Sequence, residues 1–171
     1  VLGSGVADTV LTGGLVGNIL LAAKGEAIGQ GSLDFIYKSN YGEFIEKAKT
    51  IYAKYADKIV LPADLGYVED GARKECKIGA VPAEICAVDV GSETAKQYES
   101  IILAAKTVFV NGPMGIFEKP ETELGTKTVF EALGACPGYT VVGGGDSVTA
   151  AAKYQVKDKL GYVCTGGGAL I

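Results

Sequence analysis

Apolar positions along the chain fall into short β-branched runs separated by longer stretches with helical spacing. Residues 9–12, 58–61, 85–90, 107–110, 139–142 and 162–164 are compact apolar runs of the kind that form buried strands. Between them, residues 15–24, 41–55, 93–105, 122–133 and 146–154 carry the spacing of helices. In residues 41–55, Phe44, Ile45, Ala48, Ile51, Tyr52 and Tyr55 return to one helical face. Ser92 stands where the helix over 93–105 needs an N-cap. Residues 67–78 alternate weakly around Asp70-Gly71, which predicts a small antiparallel hairpin. Residues 24–32 read as a glycine-rich surface stretch.

Strands alternating with helices in this order predict an α/β fold: a three-layer α/β/α doubly wound parallel sheet, Rossmann-like, with a small hairpin excursion. No repeat or low-complexity segment interrupts it, so residues 1–171 read as one domain. With 171 residues, 48% of them hydrophobic, the chain can bury a real core. A net charge of −4 without a Lys/Arg cluster argues against broad binding to nucleic acid or to an anionic membrane. No apolar stretch is long enough to span a bilayer, and no basic-then-apolar leader opens the sequence. Cys76, Cys86, Cys136 and Cys164 are widely spaced, and Cys86 and Cys164 sit in apolar runs. They are expected to be buried reduced thiols, which fits a cytoplasmic protein. The absence of histidine removes the commonest general base.

Chemistry concentrates in three runs: Asn111-Gly-Pro-Met-Gly-Ile-Phe-Glu118, Gly143-Gly-Gly-Asp-Ser147 and Thr165-Gly-Gly-Gly168. Each follows directly on an expected strand. Ligands in such sheets bind beyond the carboxyl ends of the strands. Bare backbone N–H groups and helix N-termini there suit an anion such as phosphate. Every residue also has an ordinary reading. Gly143, Gly144 and Gly145 serve a tight strand-to-helix turn or a phosphate. Asp146 is either a helix N-cap, worth ~1 kcal/mol, or an oxygen ligand for Mg²⁺. Glu118 is a solvated loop carboxylate or an acceptor for ribose hydroxyls. Gly13 and Gly14 allow close packing or make room for a flat base. Glu69-Asp70 reads as a solvated turn. Neither GxxxxGK[ST] nor a well-placed GxGxxG is present, which weighs against P-loop and standard dinucleotide sites.

The three runs, with Val163-Cys-Thr-Gly-Gly-Gly-Ala169, resemble the nucleotide-side signatures of the phosphoglycerate kinase family. Asp89-Val-Gly-Ser-Glu-Thr94, residues 8–18 and Gly125-Thr126-Lys127 also resemble family segments, in the family's order. The resemblance covers essentially the whole chain, has an archaeal flavour, and corresponds to the carboxy-terminal, nucleotide-binding domain. It implies phosphoryl transfer between 1,3-bisphosphoglycerate and ADP, giving 3-phosphoglycerate and ATP, with Mg²⁺. By the same resemblance, Gly13 and Gly14 line the adenine pocket, Glu118 binds ribose, and Asn111 contacts the nucleotide phosphates. Asp146 holds Mg²⁺, with Gly143, Gly144, Gly145 and Ser147 beside the phosphates. Thr165, Gly166, Gly167 and Gly168 serve the phosphoryl group in flight. Such chemistry tolerates the lack of histidine, because the nucleophile is already ionised and catalysis rests on alignment and fixed dipoles.

Departures from the family pattern shape the expectation. Its Gly-Gly-x-Lys segment is expected before Val1, and its amino-terminal domain, which holds the phosphoglycerate, is not represented. Residues beyond Ile171 are expected too. Cys164 stands where serine is common. The reading is therefore half an active site, inactive alone, with the acceptor held by the other domain. Two other classes stand beside it: a stand-alone nucleotide-binding module without catalysis, and a Rossmann-like oxidoreductase disfavoured by the missing fingerprint.

Overall fold

The computed structural model describes residues 1–170 and is, as the pattern predicts, an α/β fold of parallel strands flanked by helices, with a small antiparallel sheet. Ile171, the last residue of the expected domain, lies outside the described residues. In chain order they are β1 (Val10–Leu11), α1 (Gly14–Lys24), α2 (Gln30–Lys38), α3 (Glu43–Tyr55), β2 (Ile59–Val60), β3 (Asp64–Glu69), β4 (Ala72–Lys77) and β5 (Asp89–Val90). There follow α4 (Ser92–Ala104), β6 (Thr107–Asn111), α5 (Leu124–Ala135), β7 (Tyr139–Gly143), α6 (Gly145–Lys153) and β8 (Tyr162–Cys164). A 3₁₀ turn, Gly167–Leu170, follows β8.

Parallel pairing joins β1 to β2, and β6 to β7 to β8. A third sheet has the order β4-β3-β5 and is antiparallel throughout. The hairpin turns at Asp70 and Gly71, both at positive φ (52° and 77°), as a two-residue turn with a right-handed twist requires. Glu69 and Asp70 are exposed there, as expected of a solvated turn.

Two apolar clusters flank the parallel strands. Tyr98 and Ile102 of α4, Phe130 and Leu133 of α5 and Ala150 and Ala151 of α6 pack on Val110 and Val142, with Leu11 and Val60 at the margin. On the other side of β1 and β2, Ile19, Leu20 and Leu21 of α1, Ile36 of α2 and Ile45 of α3 enclose Ile59. Alternation along β2 therefore sends Ile59 to one cluster and Val60 to the other, the mark of a sheet covered on both faces. Tyr98 crosses the first cluster to donate its hydroxyl to the Thr12 carbonyl at 2.6 Å. Burial of that hydroxyl raises its pKa.

Several local expectations are corrected. The glycine-rich stretch 24–32 is not merely surface: Ile28 and Ser32 are buried, and α2 begins inside it. Its donors are met by an irregular segment, with Gln30 N–H on the Ala83 carbonyl at 2.6 Å and Ser32 N–H on the Ile85 carbonyl at 3.2 Å. Only Asp89–Val90 of the expected strand 85–90 is a strand. All four cysteines are free, but Cys86 is exposed and the other three are half-buried. Among the described residues, no helix is long and apolar enough to cross a membrane.

Candidate functional site

The loops at the carboxyl ends of β6, β7 and β8 are neighbours by register alone, because Asn111 pairs with Gly143, and Gly143 with Cys164. Gly144 leaves β7 with φ 95° and donates its N–H to the Cys164 carbonyl at 3.0 Å. A Cβ at Gly144 would lie 3.4 Å from Asn111 Oδ1 and 3.6 Å from Gly167 Cα. One at Gly167, where φ is 53°, would lie 3.3 Å from Gly144 Cα. One at Gly168 would lie 3.6 Å from Asn111 Nδ2. Positive φ favours glycine at 144 and 167, and at 167 the close approach to Gly144 adds to it. The Asn111 amide thus sits between the two glycine loops, and open space surrounds Gly145.

Thr165 and Gly166 lie exposed at the mouth of this arrangement, with the Gly166 N–H on Cys164 Sγ at 3.1 Å. Ser147 lies behind it. Its side chain is buried, and its hydroxyl accepts the Gly112 N–H at 2.7 Å, tying the β6 loop to α6. Gly13 and Gly14 meet the far side of the same loop. A Cβ at Gly13 would strike Met114 Sδ at 2.5 Å, and one at Gly14 would approach the Pro113 carbonyl oxygen at 3.2 Å. Glu118 is exposed at the end of the segment and has no hydrogen-bond partner among the described residues.

Asp146 is not a cap. The N-cap of α6 is Gly144, with no side-chain cap bond, and Asp146 lies exposed in the first helical turn. Its carboxylate is left to solvent or to a ligand. Among the described residues no group of three His, Cys, Asp or Glu side chains could hold a metal ion unaided. One exposed carboxylate beside glycine loops nevertheless fits the chemistry of Mg²⁺, which is commonly held by one or two carboxylates plus substrate phosphates.

Helix N-termini differ sharply across the molecule. The first N–H groups of a helix have no partner inside it and must find one elsewhere. At α4 they are taken by a carboxylate from another strand: Asp64 accepts Glu93 N–H at 3.1 Å, Thr94 N–H at 2.9 Å and the Thr94 hydroxyl at 2.5 Å. Ser92, expected as the cap, instead donates its N–H and hydroxyl to Glu75 at 3.0 and 2.6 Å. At α5, Asp89 accepts the Gly125 N–H at 2.9 Å. Both carboxylates occupy space that a glycine vacates, since a Cβ at Gly91 or Gly125 would overlap Asp64 or Asp89. In α1 and α6, by contrast, the first N–H bonded backward is Gly17 to the Gly13 carbonyl and Val148 to the Gly144 carbonyl. The preceding groups, at residues 14–16 and 145–147, have no protein partner among the described residues. These two open helix ends are the ones beside the glycine loops.

Asp89 is also the hub of a buried polar network. Arg73 of β4 donates to its carboxylate at 2.9 Å and to Glu75 at 2.7 Å, and bonds the Val90 and Glu121 carbonyls at 3.0 and 3.1 Å. Burial pushes the Asp89 carboxyl up to about 6, against the pull of the Gly125 N–H and the Arg73 guanidinium. Glu75 is also penalised by burial, but the Ser92 and Arg73 bonds outweigh this and hold it below its ordinary value. The sequence reading assigned no role to Asp64, Arg73, Thr126 or Lys153. Asp89 and Gly125 lie in two segments that resemble the family's, but neither carries a local signal of their contact.

A groove of about 400 Å³ between α1, α3 and β2 is lined by Leu21, Tyr52, Ile59, Leu61 and Pro62. Its charged rim is the Lys24–Glu26 pair at 4.0 Å, and no further charged group converges there. Polar chemistry converges at the glycine edge instead.

Parallel strands flanked by helices, with glycine loops and open helix ends along one carboxyl edge, define an α/β protein. The sequence pattern of the family described as "Phosphoglycerate kinase" matches residues 2–171, and the chain belongs to that family. It is 39% identical over its whole length to phosphoglycerate kinase of Methanothermobacter thermautotrophicus, covering 41% of that protein. It is 37% identical to the enzyme of Methanothermus fervidus, of which it covers 42%. Against the crystal structure of phosphoglycerate kinase from Pyrococcus horikoshii OT3 the TM-score is 0.90 at 34% identity, over 99% of this chain and 42% of that one. The chain therefore spans well under half the length of the relatives it matches.

Proposed function

We propose that the chain is the nucleotide-binding part of a phosphoglycerate kinase. It takes ADP or ATP with Mg²⁺ along the edge formed by Gly13, Gly14, residues 111–118, residues 143–147 and residues 165–168. The observation that carries this reading is the contrast between helix ends. Asp64 and Asp89 set buried carboxylates on N–H groups at the N-termini of α4 and α5, whereas no carboxylate meets the N-terminus of α6 beside the Asn111 amide, Gly144, Gly167 and Gly168. An unfilled helix N-terminus with free N–H groups favours an anion.

In this reading the α6 N–H groups and the Asn111 amide hold the phosphates. Glu118 accepts from the ribose hydroxyls, and the Gly13–Gly14 backbone with Met114 forms the floor under the base. Thr165, Gly166, Gly167 and Gly168 offer donors to the transferring phosphoryl group. Asp146 would hold Mg²⁺, which neutralises phosphate charge. Ser147 acts from behind, through Gly112. The phosphoglycerate is held by a part of the longer protein that this chain does not represent.

Calorimetric titration with ADP, with and without Mg²⁺, tests the proposal. Saturable binding that tightens with Mg²⁺, together with a nucleotide-dependent rise in Tm, is the expected result. Absence of both heat and thermal protection at millimolar nucleotide overturns it.

A further inference from the structure

Residues 111–118 carry no regular structure after Asn111, yet they are pinned at four points. Gly112 N–H bonds Ser147 Oγ at 2.7 Å, Met114 N–H bonds Thr126 Oγ1 at 3.1 Å, and Ile116 N–H bonds the Val88 carbonyl at 2.9 Å. The fourth pin differs from these, because Lys153 Nζ donates to the Phe117 carbonyl. That carbonyl belongs to the peptide group leading directly into Glu118, so it fixes the plane from which the Glu118 side chain departs.

Lys153 is itself built into place. Its ammonium is 2.8 Å from a Glu123 carboxylate oxygen that also accepts the Tyr154 hydroxyl at 3.0 Å. It lies 5.9 Å from the Phe117 ring centroid and 5.5 Å from that of Tyr154, within cation–π range. The Lys153 bond holds the Glu123 carboxyl below its ordinary value, so that carboxyl stays ionised at neutral pH. The Phe117 ring beneath is buried. Glu118 is exposed and has no hydrogen-bond partner among the described residues, so nothing described on its own side chain sets its direction.

We propose that Lys153, with Glu123 as its anchor, is a positioning residue that aims Glu118 at the sugar of the bound nucleotide. The inference rests on the nucleotide reading above and adds a group from the far end of α6. That helix then serves the site twice: its first turn faces the phosphates, and its last turn sets the carboxylate for the sugar. A plain ion pair with one partner 37% and the other 21% exposed would leave ligand preference untouched.

The test compares three probes on the full chain by calorimetry: adenosine, ADP and pyrophosphate, the last having no sugar. K153M is expected to weaken adenosine and ADP about tenfold, a loss equivalent to about 1.4 kcal/mol, and to leave pyrophosphate unchanged. K153R should recover part of the loss. In an E118Q background K153M should add nothing further, because both changes remove one interaction. K153Q serves in place of K153M if the latter does not fold. Unchanged adenosine binding, equal loss on pyrophosphate, or additive effects with E118Q would each overturn the assignment while sparing the nucleotide reading. A wild-type chain that binds none of the three overturns that reading, and this assignment with it.

Discussion

The N-termini of α4 and α5 and the N-terminus of α6 pose the same physical problem, and the molecule answers it in opposite ways. Each end presents N–H groups that the helix cannot satisfy and a partial positive charge that favours an anion. At α4 and α5 the anion is internal: the buried carboxylates of Asp64 and Asp89 reach in from neighbouring strands, where Gly91 and Gly125 leave room. At α6 the corresponding space beside Gly145 is empty of protein, and the nearby carboxylate, Asp146, is turned outward into solvent. Closed ends lock strands to helices and serve the fold. An open end among glycine loops leaves donors free for the anion of the proposed nucleotide site.

The comparison breaks most severely at Arg73. Replacing it with methionine leaves the Asp89 carboxylate buried beside α5 without its counter-charge, and loss of one partner of a buried pair costs about 3–5 kcal/mol. Arg73→Met should therefore lower the unfolding free energy by that order in urea denaturation. A loss below about 1 kcal/mol would show that the Gly125 and Val90 N–H groups alone suffice for Asp89.

A pH titration sharpens the closed side. Asp89 holds its proton more tightly in the folded chain, up to about 6, than at its ordinary 3.8. Its contribution to stability is therefore complete below about pH 4 and is lost as the pH rises through about 6. That change of binding strength for the proton corresponds to a difference on the order of 3 kcal/mol. Asp89→Asn, neutral throughout, should remove this part of the slope between pH 4 and 7. Equal slopes for the variant and the wild type would assign the pH dependence elsewhere.

The open side predicts the smallest change in stability and a specific change in binding. Because Asp146 caps nothing, Asp146→Asn should move the unfolding free energy by less than about 0.5 kcal/mol, as for an ordinary surface substitution. The same variant should flatten the Mg²⁺ dependence of ADP binding. Mg²⁺ dependence that survives intact would place the metal on another group.

Elements with a strong local signal were legible without the structure. The helical face of residues 41–55 became α3, the Asp70-Gly71 turn became the β3–β4 hairpin, and the three apolar runs before the glycine loops became β6, β7 and β8. The short α2 and the buried Ile28 were read as surface, because glycines flank a segment whose donors are met by the distant Ala83 and Ile85 carbonyls. Ser92 had the composition of a cap, but Asp64 won the position through a strand packed alongside.

Sequence alone determined where the chain turns and where backbone lies bare, because glycine, β-branching and amphipathic spacing act within a few residues. It thereby marked residues 111–118, 143–147 and 165–168 as the edge on which the proposed site lies. Which helix ends are filled and which stay open was decided by tertiary structure. Asp64 meets Thr94 and Asp89 meets Gly125 across 30 and 36 residues of chain, and Lys153 reaches Phe117 across another 36. Such pairings depend on how sheets and helices stack. A carboxylate or ammonium in one strand or helix carries no local mark of the helix end or carbonyl it will meet.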